Sequence, residues 1–214
     1  MPITVGPQNV VDGANVQDRG GNQGELVISD MTGQYYEHTM RGRMFIYNVA
    51  SQALLLSATG GGHPTVFNPA GSGVIFVPVS LYIGFISGTT VISSINIAET
   101  LAAGAAAATG AAILTATAVA PLNAFRGCPT VFASAVIWSP TTNTFTAAPA
   151  VKYATGINLG AAAPTGSGQY THDFNGRLAY YPGSAMSVVC SVTTTTALFD
   201  ITIMGIEVPL PVGR

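Results

Sequence analysis

Charge is what this sequence lacks most. Asp, Glu, Lys and Arg make up 7% of its 214 residues, against a usual share of about 25%. Hydrophobic residues stand at 48%, close to the ordinary range, so Gly, Ala, Ser, Thr, Asn and Pro replace the missing charges. The few charges are also crowded. Eight of the 16 fall between Asp12 and Arg43, and none occurs from Met44 to Ala98. The stretches 100–125, 127–151 and 153–172 are uncharged as well. A free monomer keeps itself soluble partly through surface charge. A neutral surface of Ser, Thr, Asn and Ala tolerates close packing against copies of itself. The expectation is a permanent assembly, with a soluble neutral β protein as the alternative.

Other absences exclude whole classes of function. Lys152 is the only lysine, and the net charge is −2. Nucleic-acid binding needs several cationic side chains along a phosphate backbone, so no nucleic-acid partner is expected. Arg41 and Arg43 are the only close basic pair, read as a solvated strand face or an interchain salt bridge. Two cysteines, Cys128 and Cys190, form no Cys-x-x-Cys and read as buried apolar residues. None of the ten Asn residues lies in a glycosylation sequon. The sequence opening Met-Pro-Ile-Thr-Val-Gly has no basic region followed by an apolar run, so no secretory signal is read. These features suit a product made and assembled in a reducing cytoplasm. Thr100–Ala120 is uncharged and long enough to span a bilayer. Ala, Gly and Thr dominate it, and no Lys, Arg, Trp or Tyr anchors flank it in the membrane pattern. A small-residue loop, or a short helix packed between subunits, is expected there, and no membrane partner.

What is present is a succession of short strand-like runs between turn signals. Residues 1–24, rich in Gly, Asn, Gln and Asp, read as an extended N-terminal arm. The remainder, 25–214, reads as one domain. Strands are expected at Glu25–Ser29, Met44–Asn48 and Ala53–Ser57. A long apolar run, Val74–Ile86, carries Pro78, which suggests a bulge or an edge in its first half. Its apolar residues occupy both pleat faces, so burial on both sides is expected. Thr90–Ile97 is expected to pair with it as a hairpin. Further strands are read at Thr130–Trp138, Lys152–Leu159, Gly176–Tyr180, Met186–Thr194 and Leu198–Val208. In the last, Phe199, Ile201 and Ile203 share one face. Helical periodicity is nearly absent outside 98–120. The pattern predicts an all-β fold, a jelly-roll-like β-sandwich with an Ala-rich insertion.

No catalytic signature emerges. There is no Gly-x-Ser-x-Gly elbow and no phosphate-binding loop. His38, His63 and His172 are not spaced with one another or with Cys as metal ligands are. His172 and Asp173 are neighbours, which in a strand puts them on opposite faces; a surface loop is the preferred reading. Asp200 and Glu207 flank the last strand on opposite faces, and strand-end charges facing water are expected, not a glycosidase pair. The pairs Tyr35-Tyr36 and Tyr180-Tyr181 should each put one ring inside and one outside. The outward ring could stack on a partner such as a glycan, although core packing is the commoner role. No enzyme activity, metal or cofactor is expected.

Two stretches carry a resemblance. Asn68-Pro69-Ala70-Gly71-Ser72-Gly73, the apolar strand after it and Gly84-Phe85-Ile86-Ser87-Gly88-Thr89 form one. Leu178-Ala179-Tyr180-Tyr181-Pro182-Gly183-Ser184-Ala185, the threonine run and Met204-Gly205-Ile206-Glu207-Val208-Pro209-Leu210 form the other. Together they are similar to β-rich virion structural proteins of tailed bacteriophages. The resemblance implies a jelly-roll-like body on capsid or tail. The expected function is a capsid decoration (cement) subunit, with a tail-associated receptor- or glycan-binding module as the alternative. Expected partners are the major capsid protein or neighbouring virion proteins and further copies of the chain, as a dimer or trimer. The expected location is the virion, assembled in the host cytoplasm.

Overall fold

The computed structural model describes residues 35–54, 63–88, 93–101, 113–116, 118–127, 132–141, 143–145, 149–159, 169–191 and 197–210. The chain divides into two units, Met1–Gln34 and Tyr35–Arg214, and all described residues belong to the second. The expected arm over 1–24, the strand at Glu25–Ser29, residues 102–112 and Cys128 lie outside the described residues.

A five-residue helix, α1 (Tyr36–Met40), leads into β1 (Met44–Gln52). Then come β2 (Thr65–Phe67), β3 (Val74–Ser87), β4 (Ser93–Thr100), β5 (Ile113–Ala116) and β6 (Leu122–Asn123). The chain continues through β7 (Ile137–Ser139), β8 (Asn143–Phe145), β9 (Ala150–Leu159) and β10 (Gln169–Asp173). It closes with β11 (Ala185–Cys190) and β12 (Leu198–Pro209). The fold is all-β. One sheet has the order β10-β3-β12-β1-β6, the other β7-β2-β11-β4-β9, and β5 pairs with β8.

The pairings nest. β1 joins β12, β2 joins β11, β3 joins β10 and β4 joins β9, all antiparallel. The pairs β3 with β12 and β4 with β11 roll this nested arrangement into two sheets. From β1 to β4, and from β9 to β12, each successive strand lies in the opposite sheet. The β4–β9 connection holds the Ala-rich segment and adds β6 to an edge of the first sheet and β7 to an edge of the second.

Alternation explains the core. Phe45, Tyr47, Leu81, Ile83, Phe199, Ile201 and Ile203 from the first sheet meet Val66, Ile95, Ile97, Met186, Val188 and Cys190 from the second. Sheets packed this way exclude water from both inner faces. Tyr47 sits edge-on to Phe76 and Trp138, with ring centroids 5.5 and 6.3 Å away. Trp138 is fully buried, and its indole N–H donates to the Asn48 carbonyl at 2.9 Å. That bond satisfies the buried indole and ties the insertion to β1.

The bulge expected from Pro78 is present. Pro78 faces Gly205 and Ser80 faces Met204, so Val79 is the extra residue. A proline has no amide hydrogen for the ladder, and a bulge accommodates that gap. The Val79 carbonyl instead accepts the Phe174 N–H at 2.8 Å. The extra residue reverses the alternation, so Phe76 before it and Leu81 after it both join the core. Val79 packs with Met44 and Ile206, flanked by Tyr35, Ala124, Met204 and Val208. The first half of β3 is thus covered on both sides.

Several local expectations are corrected. β4 pairs with β9 and β11, not with β3 as a hairpin, because β3 already lies between β10 and β12. Residues 50–52 are not a break after β1, and residues 55–57 of the strand expected at Ala53–Ser57 lie outside the described residues. β1 runs on to Gln52 through an irregularity at Ser51, whose φ is 58°. Gly176–Tyr180 is a turn followed by an isolated bridge between Phe76 and Tyr180, and of the expected strand Thr130–Trp138 the described part, from Phe132, is strand only from Ile137. The one helix among the described residues, α1, is too short for periodicity to reveal. Within 98–120, the described residues hold β4, β5 and a bridge at Val119, with no helix among them.

A β-carbon on Gly205 would overlap the Phe76 ring, whereas one on Gly84 would meet only Asp200 Cβ at 4.0 Å. Gly205→Ala should therefore destabilise the fold by about 1–3 kcal/mol in urea unfolding. Gly84→Ala should change it by less than about 0.5 kcal/mol.

Candidate functional site

The residues with chemical potential are dispersed. Among the described residues, no group of three His, Cys, Asp or Glu side chains could hold a metal ion. No helix among them is long and apolar enough to cross a membrane. His38 lies on α1, His63 is buried just before β2, and His172 lies on β10. His172 is in a strand and not the surface loop expected. Its ring meets Phe174 edge-on at 4.8 Å and stacks with Tyr170 at 6.3 Å. Asp173 is exposed on the other face. Arg41 closes α1 and pairs with Glu37 one turn earlier at 2.6 Å. Both ends of that pair are more than half exposed, so it contributes little. Buried Cys190 donates its thiol to the Leu54 carbonyl at 3.1 Å.

Glu207 departs from expectation. Asp200 faces solvent, but Glu207 is 5% exposed and points into the sandwich. It shares its side of β12 with Phe199, Ile201 and Ile203, and the sequence pattern alone would put it inside. Its carboxylate accepts the Tyr47 hydroxyl at 3.2 Å, the Ala135 N–H at 2.9 Å and the Ser134 hydroxyl. Three donors replace the water a buried carboxylate would lose. The effect is to fasten the insertion at Ser134–Ala135 to the last strand. Burial, and then the Glu207 charge, hold the Tyr47 phenol well above its ordinary value. The Tyr180 phenol is likewise raised, first by burial and then by donating to Glu99 at 2.7 Å.

The tyrosine pairs split as expected. Tyr180 is buried and Tyr181 is 57% exposed. Tyr36 is half exposed on α1, while Tyr35 packs against the Met44–Val79–Ile206 cluster. Asn68 unites the two stretches that carry the virion-protein resemblance. Its amide donates to the carbonyls of Val74 and Tyr180 at 2.9 and 2.8 Å, and its side-chain oxygen accepts the Ser72 hydroxyl. Its backbone pairs with Ser184 and Gly183. Both turns thus form one corner, and their shared role is structural.

A surface groove lies on the outer face of the first sheet. The groove, of about 360 Å³, is lined by Tyr82, Ile83, Gly84, Phe85, Gln169, Asp200 and Thr202. Register places Thr171, Tyr82, Thr202 and Asn48 across one row, and Gln169, Gly84 and Asp200 across the next. Asp200 accepts the Ser51 N–H at 3.2 Å, and Thr202 accepts the Asn48 amide at 2.7 Å. The linear sequence did not point to this group, since its members come from three strands. Only the outward parity of Asp200 and Thr202 opposite the core positions of β12 was available as a signal. Comparison with protein-family models, curated proteins and solved structures finds no match to this chain.

Replacing Glu207 with Ala would leave three donors without their acceptor, and urea unfolding should register a loss of about 2–3 kcal/mol. The raised phenols give a pH dependence of defined sign. A phenol with a raised folded pKa contributes fully below its unfolded value near 10, and that contribution is lost as pH rises above it. The slope should approach about 1.4 kcal/mol per pH unit per tyrosine. Urea midpoints at pH 8 and pH 11 should show a fall that Tyr47→Phe and Tyr180→Phe each reduce.

Proposed function

We propose that this chain is a structural, non-catalytic subunit of a bacteriophage particle, acting as a capsid decoration (cement) protein. The observation that carries the reading is strand order. With the edge additions set aside, β10-β3-β12-β1 faces β2-β11-β4-β9. This order supports a jelly-roll reading of the sandwich, an architecture common in viral capsid and lectin domains. The near-absence of charge from Met44 onward supports close packing of such bodies. Tyr36, Met40, Val119 and Leu122 are exposed on α1 and the insertion, and they offer apolar contacts to a neighbour. The partners are then the major capsid protein or adjoining virion proteins, with the chain itself a dimer or trimer. Stable association of this kind needs about 1,600 Å² of buried surface or more. The charged segment Asp12–Arg43 supplies the electrostatic part of the contact.

A tail-associated glycan-binding module is the second reading, and the outer groove of the first sheet favours it. The arm tests the first. A chain lacking residues 1–24 should fold and unfold like the full chain but bind decoration-free particles more weakly. Saturation of those particles at full-length affinity would refute the arm's role.

A further inference from the structure

We infer that the groove on the outer face of the first sheet is a binding site for a short neutral glycan. This deepens the second reading above by naming its ligand class and rests on that reading of the groove, wherever on the particle the chain sits. Recognition of a sugar calls for an aromatic surface against its C–H face and fixed acceptors and donors for adjacent hydroxyls. The groove brings these together. Tyr82 supplies the ring, Asp200 the carboxylate, Gln169 the amide and Thr202 the hydroxyl. Gly84 lies between Gln169 and Asp200 in the same row, and its lack of a side chain leaves that row open.

The polar groups are held in place before any ligand arrives. One Asp200 oxygen accepts the Ser51 N–H, a contact set up by the left-handed backbone at Ser51. A carboxylate has about four acceptor positions, so most remain for a ligand. The Thr202 hydroxyl accepts from the Asn48 amide, which directs its own hydrogen elsewhere. Pre-positioned groups lose less freedom on binding. The volume of about 360 Å³ falls in the range of small-ligand sites, roughly 300–1,000 Å³.

Charge selects among glycans. The lining holds one carboxylate and no Lys or Arg. An acidic sugar or phosphate would meet Asp200 with no cation to compensate, so the site favours neutral hexoses and N-acetylhexosamines.

The test is an array of neutral and sialylated glycans probed with the full chain, followed by calorimetric titration of the strongest neutral hit. Binding should be confined to neutral glycans. Asp200→Asn and Tyr82→Ala should each weaken it about tenfold or more. Tyr181→Ala, which alters an exposed tyrosine outside the groove, should leave it unchanged. Asp200→Asn changes a solvent-facing group nearly isosterically, and its thermal unfolding should match that of the unaltered chain. The inference is overturned if no neutral glycan binds, if sialylated glycans bind better, or if both groove variants bind like the unaltered chain. Particle binding is not measured in this test, so failure here leaves the decoration role to its own experiment.

Discussion

β1 buries Phe45 and Tyr47 in a sheet where it pairs with β12, at the other end of the described fold, and the pairs β2–β11, β3–β10 and β4–β9 nest inside that one. Each inner pair brings together strands less distant in sequence, down to β4 and β9. Long-range antiparallel pairing of this kind carries a large ordering cost before its contacts form. The reward is a core drawn from both sheets, with Tyr47, Phe76 and Trp138 meeting edge to face. The insertion depends on the same closure. Trp138 reaches the Asn48 carbonyl and Ser134–Ala135 reaches Glu207, so both anchors rest on β1 and β12.

Polar groups inside the sandwich fix geometry more than they supply chemistry. Glu207 is surrounded by donors from its own chain, and no metal-binding group of residues accompanies it among those described. Asn68 holds a corner between two turns, and Tyr180 reaches Glu99 on the opposite sheet. Buried polar groups whose hydrogen bonds are made, as at Glu207 and Asn68, favour one packing arrangement over near alternatives. The outward faces behave differently. They carry few charges, and the groove between β10, β3 and β12 gathers polar side chains. A rigid body with little surface charge is suited to contact, either with copies of itself or with an uncharged ligand.

Fold class was legible because strand patterning is local. The alternation in Leu198–Val208 placed Phe199, Ile201 and Ile203 in the core, and Pro78 announced its bulge. Partner choice was not legible. The adjacency of Val74–Ile86 and Thr90–Ile97 suggested a hairpin, but β3 takes β12 and β10 instead. Nothing in a single strand encodes a partner more than a hundred residues away. Glu207 was misplaced because charge outweighed parity in the reading, even though parity puts it beside Ile203. The groove escaped notice for the related reason that Gln169, Tyr82 and Asp200 become neighbours only through register.

The central claim of the proposal is that this β-sandwich, with so little charge, packs against copies of itself. The most direct measurement is the mass of the purified chain by light scattering at low and high salt. Salt screens exposed charges over about 10 Å at 0.1 M, so an interface built on neutral surfaces should be indifferent to it. A dimer or trimer of unchanged mass at both salt concentrations is the predicted result. A monomer that stays soluble at both would contradict the account.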